Sequence, residues 1–186
     1  MALVEVDRLA ATRRDLRGLL LAGQRELHCK QEKPARRRFL ADRMVALGCS
    51  VLAYRTTAES GQEQARERCL RRAVEDLLAL DARRLVLDSR QGRDHHDVRV
   101  LRDALGPRPS TSGLTYQHMD STQEPLLWIA DVLGWCYNAG GFWRSRVSQA
   151  VMGVELDLEI RETRLPTVRT GTGFTSAAYG AGASPL

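Results

Sequence analysis

Lysine is nearly missing from this chain: Lys30 and Lys33 are the only two among 28 basic residues. The positive charge is therefore arginine, an enrichment that a GC-rich genome produces by codon usage, so arginine abundance alone does not point to nucleic acid. Cysteine is sparse and scattered. Cys29, Cys49, Cys69 and Cys136 form no C-x-x-C pair and have no histidine at zinc-finger spacing. This excludes a zinc finger or ribbon and predicts reduced, mostly buried thiols. No apolar run approaches the ~20 residues that span a bilayer. The densest stretch, Pro125 to Tyr137, is shorter and contains Asp131. The N-terminus MALVEVDRLAATRR meets acid and arginine too early to hold a secretory hydrophobic region, so the expected compartment is the cytoplasm. A P-loop, G-x-S-x-G and G-x-G-x-x-G are all absent. Gly171-Thr172-Gly173 has no strand before it and no helix after it.

What is present fits one globular domain. A length of 186 residues with 43% hydrophobic content suffices for a proper core. Charge is unevenly placed. Residues 1–48 carry 11 basic and 6 acidic side chains, whereas the remainder balances, so the whole net charge of +5 sits in the first quarter. Arg36-Arg37-Arg38 is its densest point. Such a cluster either steers a phosphate-bearing partner or forms a solvated helix face.

Periodicity outlines the elements. Ala2–Val6 is short and β-prone. A helix runs from Asp7, a suitable N-cap, to Leu21, and Gly23 ends it. Another opens at Pro34 and closes at Gly48. Cys49–Tyr54 reads as a buried strand. Gln62–Leu80 is an amphipathic helix with Ala65, Cys69, Ala73, Leu77 and Leu80 at intervals of three and four. Arg84–Asp88 is a strand, Asp94–Leu105 a helix and Leu114–His118 a third strand. Pro125–Asn138 is an apolar helix stopped by Gly140-Gly141, and Phe142–Met152 reads as one more. Val154–Ile160 is a late strand or extended arm. The alternation predicts an α/β sheet covered by helices over residues 1–160. Residues 161–186, rich in threonine, glycine, serine and alanine, are expected to be a disordered tail.

Several residues are candidates for chemistry. Asp88 ends a hydrophobic strand, where α/β folds place ligands, though aspartate also terminates strands for local reasons. Asp131 sits among Ile129, Ala130, Val132 and Leu133. It is expected to be buried, and hence to bind a metal, an arginine or a proton. Glu124, Asp131 and Asn138 are seven apart and line one side of a helix, suggesting a polar cleft. Ser121-x-x-Glu124 also fits a capping box. In LHCKQEK, His28, Lys30 and Glu32 alternate and share one side if the segment is extended. They read equally well as a hydrophilic loop. His95-His96 lacks a third ligand and reads as exposed.

Together, GQRELHCKQEK, RLVLDS and EPLLWIADVLGWCYNAGGFWR resemble RNase H-like proteins, close to the family known as domain of unknown function 3800. The resemblance covers about Ala2 to Val151. It implies a mixed RNase H-like sheet flanked by helices and a metal-dependent nuclease acting on RNA or DNA. It also implies carboxylates around magnesium, with manganese as a substitute. The acids implied as catalytic and metal-binding are Glu32, Asp88 and Asp131, with His28, Lys30 and Glu124 as accessory groups and Arg36, Arg37 and Arg38 meeting the nucleic acid. Relatives open with a strand bearing an Asp-Glu-Ser-like motif, yet here Met1 immediately precedes ALVEV. The expectation is thus an N-terminally truncated fold with an incomplete site and an unpaired sheet edge open to a second copy or a partner. A non-catalytic module binding nucleic acid or protein is the alternative.

Overall fold

Short aliphatic runs make the strands of this protein, and apolar residues three and four apart make its helices. The computed structural model describes residues 1–56, 61–90, 92–106 and 113–156. Its elements are β1 (Ala2–Leu3), α1 (Leu9–Arg17), α2 (Pro34–Ala46), β2 (Ser50–Arg55), α3 (Gln62–Ala79) and β3 (Arg84–Asp88). They continue with α4 (Asp94–Leu105), β4 (Thr115–Met119), α5 (Leu126–Ala139), α6 (Gly141–Val147) and β5 (Val151–Leu156). Short 3-10 turns lie at Val6–Arg8, Cys29–Gln31 and Ser148–Ala150. The result is a mixed α/β fold with helices flanking small sheets.

The strands divide between two sheets. β2 is central in the first, antiparallel to β1 and parallel to β5. β3 and β4 form a separate parallel pair with Arg84 opposite Thr115 and Asp88 opposite Met119. β1 has a single strand partner among the described residues, which leaves it at the sheet edge.

Two apolar clusters form the interior. The larger joins Leu16 of α1, Leu40 and Met44 of α2, Val147 of α6, and Trp128, Ile129, Val132, Leu133 and Cys136 of α5. The smaller joins Val74 and Leu77 of α3, Leu85 and Leu87 of β3, and Leu101 and Leu105 of α4. The N-terminal segment spans both, because alternate side chains of an extended chain point to opposite sides. Ala2 and Val4 pack on the larger cluster, Met1 and Leu3 on the smaller.

Three expectations shift. The first helix is shorter, because Asp7 lies inside a 3-10 turn and α1 stops at Arg17, before Gly18. Phe142–Met152 is not one helix: α6 ends at Val147, and Val151 already pairs with β2. β-branched Val151 suits that pairing better than a further helical turn. The late strand is therefore Val151–Leu156; residues 157–186, including the tail, lie outside the described residues. No described helix is long and apolar enough to cross a membrane.

Leu101 is fully buried in the smaller cluster. Leu101→Ala should lower stability by about 3 kcal/mol. Because β1 ties both clusters together, urea unfolding followed by circular dichroism should remain a single transition. A separate early transition would show that the clusters unfold independently.

Candidate functional site

The parallel pair β3–β4 ends both strands side by side. Asp88 closes β3, the Ser89 N–H donates to the Met119 carbonyl at 3.0 Å, and Asp120 follows β4 directly. Two carboxylates thus stand at neighbouring carboxyl ends of parallel strands, where α/β folds leave a crevice. α5 packs against β3 and also against the Cys29–Gln31 turn. Asp131 on α5 accepts the Cys29 N–H at 2.8 Å. Just before that turn, Glu26 accepts the Ser121 hydroxyl and faces His28 Nε2 at 3.3 Å.

The electrostatics link these groups. Partial burial raises the Asp88 carboxyl above its ordinary value; His28 opposes the shift, while Asp120, Glu26 and Asp131 add to it. Asp120 is held lower by hydrogen bonds from the Thr122 hydroxyl and N–H. The rim therefore carries four acids and one histidine around the end of β3.

Asp131 differs from its expectation. It is exposed, because α5 turns Trp128, Ile129, Val132, Leu133 and Cys136 inward and leaves Asp131, Gly134 and Asn138 outside. Its partner is a backbone amide, not an arginine. Glu124 takes the buried ion pair instead. It is 3% exposed, receives Arg13 Nε and Nη2 at 3.0 and 2.7 Å, and accepts the Leu126 N–H at 3.1 Å. Glu124 thus leaves the predicted stripe and caps the start of α5 by itself. The reciprocal capping box does not form, since the Ser121 hydroxyl goes to Glu26.

The alternation of His28, Lys30 and Glu32 is broken by the 3-10 turn at Cys29–Gln31. His28 engages Glu26, Lys30 is exposed, and Glu32 accepts Gln24 Nε2 at 2.7 Å. Nor do the three arginines act alike. Arg36 donates to the Leu19 carbonyl and lies over Phe39. Arg37 donates to the Cys29 and Lys30 carbonyls at 2.8 and 2.7 Å. Arg38 is exposed.

A second polar cluster escaped the sequence reading. Asp97 of α4, 2% exposed, is gripped by Arg66 Nε and Nη2 at 2.9 and 2.7 Å, by Arg90 Nη2 at 2.9 Å and by His118 Nε2 at 3.2 Å. Burial alone would raise its carboxyl, but hydrogen bonds from Arg66 and His118, with the charges of Arg66 and Arg90, hold it below the ordinary range. Nearby, Arg90 and Arg93 both bind Glu63, holding it at about 2. A signal was available: Asp97, Leu101 and Leu105 recur at intervals of four, which places the acid on the buried side of its helix. His95 and His96, by contrast, are exposed and stack on each other at 4.2 Å.

Among the described residues, no three His, Cys, Asp or Glu side chains stand ready to hold a metal ion. No protein-family model, curated protein or solved structure matches this chain.

Asp97 and Glu124 both have folded pKa values below their unfolded ones. Their contribution is therefore fully present above the ordinary carboxylate range and is lost as pH falls through it toward the folded values. Thermal unfolding between pH 6 and 3 should show this loss, and Asp97→Ala should flatten it while costing about 3 kcal/mol at neutral pH. An unchanged pH dependence in that variant would assign the acid sensitivity elsewhere.

Proposed function

We propose that this chain is an RNase H-like module that hydrolyses phosphodiester bonds in RNA or DNA with a divalent cation, magnesium or, in its place, manganese. The observation that carries the reading is Asp88 and Asp120 at the neighbouring carboxyl ends of a parallel strand pair, with Asp131, Glu26 and His28 near enough for their charges to act on the Asp88 carboxyl. Carboxylate oxygens are the donors that magnesium takes. The field of acids that favours a proton on Asp88 also favours a cation next to it.

In this reading Asp88 and Asp131 hold the cation. Glu26 takes the completing role that the resemblance implied for Glu32, whose carboxylate is bonded to Gln24. His28 and Lys30 stand beside the phosphate. The cation would supply Lewis acidity and a more acidic bound water. Cys29 and Cys136, both buried and free, suit a reducing compartment such as the cytoplasm.

A second reading is an RNase H-like module that binds nucleic acid or a protein without cleaving. It is favoured by how the acids are already engaged: Asp131 by the Cys29 amide, Glu26 by Ser121 and His28, and Glu32 by Gln24.

The test is magnesium-dependent cleavage of labelled RNA and DNA, paired with magnesium titration calorimetry. Loss of an outer-shell partner of a metal typically costs 10–100-fold, so Asp88→Asn and Asp131→Asn should each reduce cleavage by more than about a hundredfold. Both side chains are exposed, so the variants should keep the parent fold. Magnesium affinity unchanged in both would remove the metal site. Binding without cleavage by the parent chain would select the second reading.

A further inference from the structure

One turn beyond Asp131, α5 enters a surface built from arginine and aromatic side chains. Arg37 lies over Trp135 at 4.6 Å, Arg144 over Tyr137 at 4.6 Å, Arg146 over Phe142 at 5.4 Å and Arg36 over Phe39 at 5.1 Å. Trp143 meets Trp135 and Phe142 edge-on at 5.2 and 5.4 Å. An ion pair from Arg146 to Asp42 at 2.6 Å joins α6 to α2, one turn from Arg38 and Phe39. α2, α5 and α6 pack on one another, so these side chains lie on neighbouring helices.

Packing alone does not account for it. Cation–π pairs occur about once per 70–80 residues, which predicts two or three in a chain of this length scattered over the fold. Among the described residues, four pairs lie on α2, α5 and α6. Trp135 and Trp143 lean against the larger core, but Phe39 and Phe142 remain 44% and 57% exposed. The charge is also one-sided. α2 and α6 together carry six arginines and one acid, Asp42.

We propose that this surface binds single-stranded nucleic acid, with unpaired bases stacking on Phe39 and Phe142 and with Arg38 and Arg144 meeting the phosphates. Base stacking on aromatics combined with arginine contacts to the backbone is the chemistry that holds single strands without reading sequence. A duplex hides its base faces, so only its phosphates would be engaged. Because Asp131 and Trp135 are one turn apart on the same helix, a strand on this surface runs toward the acids at the end of β3. The inference rests on the phosphodiesterase reading only for the direction of that strand; binding itself is independent of cleavage.

The test uses the full chain in EDTA, so that no cleavage occurs. Anisotropy is followed with a fluorescein-labelled single-stranded RNA of about 12 nucleotides, within the usual site size. The unmodified chain should bind it at least about tenfold more tightly than a duplex of the same length, and affinity should fall with salt. Phe39→Ala with Phe142→Ala should weaken binding roughly tenfold or more. Tryptophan fluorescence gives a readout that needs no variant: stacking beside Trp135 and Trp143 should quench it on addition of RNA. No quenching, equal affinity for duplex and single strand, or unchanged affinity in the phenylalanine variant would overturn the proposal. So would a dimer on light scattering that the phenylalanine substitutions dissolve, since a second copy would then own the surface. If the parent binds the strand but never cleaves it with magnesium, the phosphodiesterase reading fails and this one stands.

Discussion

The rest of the fold depends on the burial of α5. The broad apolar flank of this helix must be covered by other elements, and α5 touches α1, α2, α6, the Cys29–Gln31 turn and strands β1, β2 and β3. Burying each of Trp128, Ile129, Val132 and Leu133 contributes roughly 1.5–3 kcal/mol. Trp128 is enclosed with its ring N–H satisfied by the Ser121 carbonyl at 2.8 Å. That bond pins the turn carrying Asp120 and Ser121, and Ser121 in turn holds Glu26. Packing of one helix thereby sets the positions of acids drawn from three segments of the chain.

The same arginine-rich composition produces two opposite electrostatic settings. Asp97 and Glu124 are desolvated, and each survives as an anion because guanidinium groups close around it. At the rim, Asp88, Asp120, Asp131 and Glu26 remain close to solvent and to one another, and their bonds are to hydroxyls, amides and one histidine. The first setting stabilises the fold, whereas the second concentrates negative charge that a cation would relieve.

The Cys29–Gln31 turn joins the acid rim to the arginine–aromatic surface. Asp131 takes its leading N–H, while Arg37 takes the Cys29 and Lys30 carbonyls and lies over Trp135. A carboxylate accepts and a guanidinium only donates, so the two grip opposite polar groups of one turn. Movement of this turn would be felt on both surfaces.

Most of the elements were legible from periodicity. α2, α3, α4 and α5 and strands β2, β3 and β4 lie within a residue or two of where spacing, Pro34 and the glycines put them. Asp88 at a strand end was legible for the same reason. Less visible were the sides of α5: counting apolar neighbours buried Asp131, whereas the apolar majority could be satisfied on one flank, with glycine and asparagine sharing the other. Glu124 looked like its equivalent but met Arg13, 111 residues away in sequence. Local pattern, set by backbone geometry and side-chain character, determined which segments are helices and strands. Tertiary structure decided which acids are neutralised and which gather at the rim, and which arginines support the backbone. Those outcomes depend on partners brought together from distant parts of the chain, which no local spacing encodes.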